Sequence, residues 1–121
     1  MSLSDLPICS ILIYVDHPEE GLIWYQKAFP EANKRLISEL DFVYLDYMGV
    51  MLEIVPADNK VSSGAAGSVV YWQTDNFQKR LDYLLEIGAT LYRGPMDVER
   101  GLRMCQVMDL WGNCIGLKGN Y

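Results

Sequence analysis

The sequence predicts an α+β protein built from two βαβββ modules, and two repeated patterns carry this prediction. An apolar run that ends near an aspartate and precedes a helical pattern occurs at 11–20 ("ILIYVDHPEE") and again at 69–78 ("VVYWQTDNFQ"). Asp-x-x-Gly followed by an apolar strand occurs within 45–55 ("LDYMGVMLEIV") and again within 108–118 ("MDLWGNCIGLK"). Self-similarity of this kind indicates a duplicated structural unit.

The spacing of the two patterns sets the size of the unit. Asp16 and Asp75 lie 59 residues apart, and Asp46 and Asp109 lie 63 residues apart. The 121 residues fit one ordinary domain spanning 1–121. Within it we expect the following parts: module one at about 8–56, a polar linker at 57–66, and module two at about 67–118.

The first module begins with an apolar strand and continues into an amphipathic helix. Asp16 is a candidate N-cap, and Pro18 suits the first turn because its missing N–H is no loss there. The helical pattern stops at Pro30. The strands of this module are predicted at 8–15, 33–38, 41–46 and 49–56.

The second module repeats this order. Asp75 or Asn76 caps a helix in which apolar residues recur at helical spacing, and Gly88 is a natural C-terminal stop. Its strands are predicted at 68–73, 89–93, 102–108 and 113–118. A ferredoxin-like βαβ-βαβ fold is the alternative, but three strand signals follow each helix where that fold offers two before the next helix.

Composition and charge exclude several classes of partner. The net charge of −6 makes nucleic acid an improbable ligand, and no apolar run approaches the length of a membrane helix, so no membrane partner is expected. The three cysteines show no C-x-x-C spacing, which predicts neither a disulfide framework nor a zinc knuckle. This cysteine usage favours a reducing cytoplasm.

Two stretches resemble motifs of the vicinal oxygen chelate superfamily, which includes glyoxalase I, bleomycin-resistance proteins and extradiol dioxygenases. "YVDHPEEGLIWYQKAFPEA" (14–32) is similar to its first strand, polar turn and helix with an aromatic pair, here Trp24 and Tyr25. "DLWGNCIGL" (109–117) resembles its terminal Asp-Pro-x-Gly-Asn hairpin, with Leu110 in place of proline. The resemblance implies a cupped mixed sheet, the glyoxalase/bleomycin-resistance fold, with a ligand inside the cup and often a homodimer.

The resemblance also implies where a metal would be held. Metal-using members carry ligands on the first and last strands of each module, at positions that align with Ser10, Glu53, Val69 and Gly116. Glu53 alone offers a good metal-binding group, whereas divalent sites need three or four ligands. A rescued site of Glu53, His17, a cysteine and water is the alternative. We therefore expect no cofactor, and no metal-assisted glyoxalase or dioxygenase chemistry, with Glu53 as the one candidate catalytic group.

Strand alternation predicts which side chains face the cup. Positions of the same parity as the lost ligands are Ser10, Leu12, Tyr14, Met51, Glu53, Val55, Val69, Tyr71, Gln73, Cys114 and Gly116. Arg103 is a further candidate for reaching the cavity. A mostly apolar lining with a few polar groups suits a planar or amphipathic small molecule.

Three functions therefore compete at this point. The favoured one is a metal-independent small-molecule-binding protein of the bleomycin-resistance type. The second is a divergent metal-dependent lyase or dioxygenase. The third is a protein-interaction module whose cup is filled by its own side chains, with Glu53 in a structural role.

Overall fold

The chain divides into two compact units. The computed structural model describes residues 8–65, 67–98 and 101–120. Unit one ends at Ser62 and unit two begins at Ser63, both inside the predicted linker, of which Ala66 lies outside the described residues. Among these residues both helices are too short to span a membrane.

Unit one consists of one four-stranded sheet and one helix. Its elements are β1 (Ser10–Val15), α1 (Pro18–Ala28), β2 (Asn33–Ile37), a 3-10 turn (Ser38–Leu40), β3 (Phe42–Tyr47) and β4 (Val50–Pro56). The strand order is β1-β4-β3-β2, in which β1 and β4 run parallel and the other neighbours run antiparallel.

Unit two repeats this arrangement with the same topology. Its elements are β5 (Val70–Thr74), α2 (Phe77–Glu86), β6 (Thr90–Asp97), β7 (Leu102–Met108) and β8 (Cys114–Asn120). The strand order is β5-β8-β7-β6, again with one parallel pair, β5 and β8. The predicted α+β class and the duplication are confirmed. In the part of the chain described, three strands follow each helix, which excludes the ferredoxin-like alternative.

Helix α1 packs closely on the sheet of unit one. The helix buries Trp24 and Tyr25, and Phe29 beyond its end is also buried. The close approach needs a glycine, because a Cβ at Gly21 would come 2.8 Å from Cγ2 of Ile54. The helix therefore covers one face of this sheet, and within residues 8–62 no other element covers the opposite face.

The start of α1 differs from the prediction by one residue. The N-cap is His17 and not Asp16, and its side chain makes no capping hydrogen bond. Pro18 is the reason, because the residue before a proline is held in an extended conformation and so marks the helix boundary. His17 has φ −130° and ψ 93°, as this restriction requires.

Helix α2 begins and ends as the sequence predicts. The side chain of Asn76 accepts a hydrogen bond from the backbone N–H of Lys79, so Asn76 and not Asp75 is the cap. Gly88 follows the helix with φ +109°, a left-handed conformation that glycine adopts without a steric penalty. The buried face of α2 consists of Phe77, Leu81 and Leu84.

Strand β6 is longer than predicted. The sequence signal stops near residue 93 because Gly94 and Pro95 are typical of turns, yet β6 continues to Asp97. Register shifts between Leu91 and Arg93, and between Arg93 and Met96, interrupt its pairing with β7. Such bulges accommodate glycine and proline inside a ladder, particularly on an edge strand such as this one.

Candidate functional site

Glu53 faces Ser10 across the parallel pair of strands in unit one. The hydroxyl of Ser10 donates a hydrogen bond to Oε2 of Glu53. The two residues lie in adjacent rows, because Ser10 pairs with Met51 and Leu12 pairs with Glu53. The carboxylate is therefore held by a neutral donor from the neighbouring strand, and this explains how an acid is accommodated within an apolar strand.

The open face of unit one is assembled by this register. Side chains alternate along a strand, so paired residues of two strands share a face. Val15, Leu52 and Ile54 are buried on the side of α1. The opposite side carries six predicted inward residues, and they lie together on one surface: Ser10, Leu12, Tyr14, Met51, Glu53 and Val55.

This surface is accessible to solvent and mostly apolar. Leu12 is 47% exposed, and the other five residues are partly exposed. One carboxylate, one hydroxyl and one phenol interrupt an otherwise aliphatic lining. Such a lining orients an amphipathic molecule through a few polar contacts.

The corresponding position of unit two is occupied by an aromatic ring. Tyr71 pairs with Gly116, as Leu12 pairs with Glu53 in unit one. A Cβ built at Gly116 would lie 2.5 Å from Cγ of Tyr71, so the ring extends across the glycine. The place that the duplication reserves for a counterpart of Glu53 is therefore filled by Tyr71.

A hydrogen-bonded chain of side chains holds this ring in place. Nε2 of Gln106 donates to the hydroxyl of Tyr71 at 2.9 Å, and Sγ of Cys114 donates to Oε1 of Gln106 at 3.3 Å. Gln106 was not among the residues predicted from the sequence. The alternation of side chains along 102–108 identifies Gln106 as facing this site once the antiparallel register, which pairs Gln106 with Gly116, is known.

Two other candidates are placed differently from the prediction. Val69 lies one residue before β5, which begins at Val70. Arg103 pairs with Gly119 and has the parity of the buried Cys105 and Val107, so it lies on the face opposite to Tyr71 and Gln106. Arg103, predicted as a candidate for reaching the cavity, therefore does not share the face of Tyr71 and Gln106.

The position of Arg103 is fixed by an ion pair. Its Nε lies 2.7 Å from Oδ1 of Asp97 on the neighbouring strand. The sequence did not show this partner because β6 was predicted to end before it.

Burial controls the chemistry of two cysteine thiols in unit two. Burial raises the pKa of Cys105 to about 11, which keeps this thiol protonated at neutral pH. Burial also raises the pKa of Cys114, and the positive charge of Arg93 partly opposes this shift. Neither thiol is therefore an activated nucleophile.

The residues at the four ligand positions do not fit the metal that the fold family implies. One carboxylate is present, that of Glu53, and the hydroxyl of Ser10 already donates a hydrogen bond to it. Val69 and Gly116 carry no ligating atom in their side chains. Among residues 8–65, 67–98 and 101–120, no group of three or more His, Cys, Asp or Glu side chains is arranged to hold a metal ion.

A separate cavity lies further along the same face of unit two. It has a volume of about 310 Å³ and lies at the carboxyl ends of the parallel strands β5 and β8. Carboxyl ends of parallel strands are common ligand sites in sheets with helical connections. Its lining residues include Tyr71, Gln73, Asp75, Leu102, Lys118 and Asn120.

Solved structures share this fold throughout the chain. A glyoxalase/bleomycin resistance protein/dioxygenase superfamily member from Sphaerobacter thermophilus matches with a TM-score of 0.74 and 19% identity, covering 95% of this chain and 98% of that one. A family enzyme from Burkholderia phytofirmans matches with a TM-score of 0.73 and 16% identity, covering 93% and 97%. A glyoxalase-related enzyme from Fulvimarina pelagi matches with a TM-score of 0.71 and 14% identity, covering 93% and 87%.

These likenesses establish the fold that the sequence motifs predicted. The chain has the glyoxalase/bleomycin-resistance fold of the vicinal oxygen chelate superfamily. No family model matches the sequence, and no curated protein matches it either. At such low identities the shared fold carries no substrate or activity with it.

Proposed function

We propose that this protein binds a small organic molecule without a metal ion, in the manner of a bleomycin-resistance protein. The supporting observation is the open face of unit one, where the hydroxyl of Ser10 donates a hydrogen bond to the carboxylate of Glu53. The second oxygen of the carboxylate is then available to accept from a ligand N–H or O–H. The aliphatic residues around it contribute apolar contact with the rest of that ligand.

Binding without turnover follows from the same chemistry. Glyoxalase and dioxygenase reactions need an electrophilic or redox-active metal, and the donor set described above does not provide a site for one. A lone carboxylate beside a serine hydroxyl orients a ligand but supplies no Lewis acid. We propose that the protein sequesters or carries its ligand in a reducing cytoplasm, and that it forms the homodimer implied by the fold resemblance.

The test begins with protein purified from cells without a chelator. Native mass spectrometry is expected to show a bound organic molecule, and elemental analysis is expected to show less than about 0.1 equivalent of metal. Near-stoichiometric metal that is lost together with ligand on chelation would overturn the proposal in favour of a metal enzyme.

A pair of matched substitutions tests the role of Glu53. Glu53→Gln is expected to weaken ligand binding by about tenfold, because a charge-assisted hydrogen bond contributes about 1.5 kcal/mol or more. Glu39→Gln is the control, since Glu39 also accepts from a serine, Ser38, but does so at an exposed position. Equal affinity in both variants would show that the open face of unit one is not the binding surface.

A further inference from the structure

We infer that the cavity at the carboxyl ends of β5 and β8 binds a zwitterionic molecule with an aromatic or aliphatic side group, of the kind represented by an aromatic amino acid. This inference goes beyond the proposed function, which concerns the open face of unit one, and names a second binding place and a chemical class of ligand for it. The cavity does not include any of the four metal-ligand positions, of which Gly116 is the last in the chain.

The register of unit two brings the polar groups of the cavity together. Gln73 of β5 pairs with Lys118 of β8, so their side chains lie next to each other on the face opposite α2. Asp75 and Asn120 each follow two residues later along the same strand directions, and Asn120 pairs with Leu102. Carboxamide, ammonium and carboxylate groups therefore border one cavity of about 310 Å³.

The charged groups of this cavity have no partners of their own. Among the residues that the structure describes, the side chains of Lys118, Asp75 and Gln73 make no hydrogen bond or ion pair. Lys118 is half-buried between the buried residues Leu117 and Gly119, whereas Asp75 is exposed. A partly buried ammonium is stabilised by an anion, and a ligand carboxylate is such an anion.

The negative charge of Asp75 on the same cavity limits the class of ligand further. Asp75 repels a ligand that carries only negative charge, and it attracts an ammonium group. A molecule with both charges satisfies Lys118 and Asp75 together, and the amides of Gln73 and Asn120 donate and accept at its polar end.

The remaining wall of the cavity is apolar. Tyr71 and Leu102 line it, and the Tyr71 ring is fixed by the hydrogen bond from Gln106. A rigid aromatic ring offers contact area at a low entropic cost, because little freedom remains to be lost on binding. The side group of the zwitterion is therefore expected to be an aromatic ring or a branched alkyl chain.

The experiment compares one zwitterion with two singly charged derivatives. The full-length ¹⁵N-labelled protein is titrated with L-phenylalanine, with L-phenylalaninamide, which lacks the carboxylate, and with N-acetyl-L-phenylalanine, which lacks the ammonium. L-Phenylalanine is expected to shift the amide resonances of Gln73–Asp75 and Lys118–Asn120 in a saturable way. Each derivative is expected to bind about tenfold more weakly, since each loses one charged contact.

Two substitutions assign the charges to the residues. Lys118→Gln is expected to remove the preference for L-phenylalanine over its amide while leaving the preference over the N-acetyl derivative. Asp75→Asn is expected to remove the preference for L-phenylalanine over its N-acetyl derivative while leaving the preference over the amide. Lys60→Gln, which changes an exposed loop residue, is the control and should leave all three affinities unchanged.

The outcomes separate this inference from the proposed function. Absence of shifts at these residues up to about 10 mM L-phenylalanine, a concentration that detects even weak binding, overturns the inference. Equal binding of all three compounds also overturns it. If the resonances of the cavity residues do not shift, but a molecule that copurifies with the protein shifts the resonances of Ser10–Tyr14, the inference fails and the proposed function stands. If no compound binds and none copurifies, both fail.

Discussion

The ring of Tyr71 extends across Gly116, its partner in the parallel ladder of unit two, and leaves no room for a side chain there. A methyl group at Gly116 would lie 2.5 to 2.7 Å from three atoms of the ring. The absence of a side chain at residue 116 and the position of the tyrosine ring are therefore one structural feature. It distinguishes unit two from unit one, in which the equivalent pair is Leu12 and Glu53.

Gly116→Ala is expected to lower the free energy of unfolding by about 1–3 kcal/mol, the usual cost of overpacking. The added methyl group forces the ring of Tyr71 away and breaks its hydrogen bond with Gln106. Urea denaturation followed by circular dichroism measures the change. In a Tyr71→Ala background the same substitution should cost less than half as much, because the clash is gone. An equal cost in both backgrounds would contradict the packing described here.

Asp109→Ala is expected to destabilise the protein by about 2–3 kcal/mol, because several hydrogen bonds are lost at a buried site. Asp109 is 5% exposed. Its Oδ1 accepts from the backbone N–H groups of Trp111 and Asn113, and its Oδ2 accepts from Nδ2 of Asn113. Thermal or urea denaturation gives the measurement.

The duplicated turn of unit one supplies the control for this prediction. Asp46 occupies the equivalent position, where its side chain accepts one exposed hydrogen bond from the N–H of Gly49 and lies 3.5 Å from Nε of Arg35. Asp46→Ala should therefore cost less than about 1 kcal/mol. A cost at Asp46 that equals or exceeds the cost at Asp109 would show that burial does not set the difference.

Ser10→Ala is expected to lower stability by about 1 kcal/mol, because it removes the donor to a partly buried carboxylate. Ser38→Ala removes a comparable but exposed donor to Glu39 and should change stability by less than about 0.5 kcal/mol. Chemical denaturation of the two variants in parallel provides the comparison. Indistinguishable variants would mean that the Ser10–Glu53 contact contributes nothing to the fold.

Stability is expected to fall as the pH rises from about 9 to about 11, partly because of Cys105. Burial raises the pKa of this thiol from 9.0 to about 11, so the unfolded chain releases the proton at lower pH than the folded chain does. The stabilisation is thus complete below pH 9 and is lost through this window, by about 1.4 kcal/mol for each pKa unit.

Cys105→Ala separates this contribution from the other groups that titrate in alkali. The variant should show a shallower decline of unfolding free energy between pH 9 and pH 11 than the native chain, whatever its stability at pH 7. Parallel profiles for the native chain and the variant would contradict the assigned shift.

Most of the fold was predictable because local patterns and the duplication agree with each other. The strand 102–108 was placed correctly at both ends, since Gly101 precedes it and Asp109 follows it. The end of β6 was not predicted correctly, because Gly94 and Pro95 indicate a turn. Only the pairing with β7 shows that a bulged strand continues through them. Tertiary pairing overrode local chemistry at that point.

The site was predictable where parity alone determines the face. The prediction placed Leu12 and Glu53 on one surface, and the parallel register does so. The face of Arg103 was not predictable, because its distance from Asp109 says nothing about which face of β7 it occupies. Gln106 was missed for the same reason. Whether these surfaces bind a ligand stays a prediction that the experiments above address.

The parallel pairing of the first and last strand of each unit has a consequence for synthesis on the ribosome. Ser10 cannot pair with Met51 until about forty further residues have been synthesised, and a similar number separates Tyr71 from Gly116. At about 5–20 residues per second, each unit spends seconds on the ribosome with its leading strand unpaired. The leading strand is therefore without its parallel partner twice during translation, once in each unit.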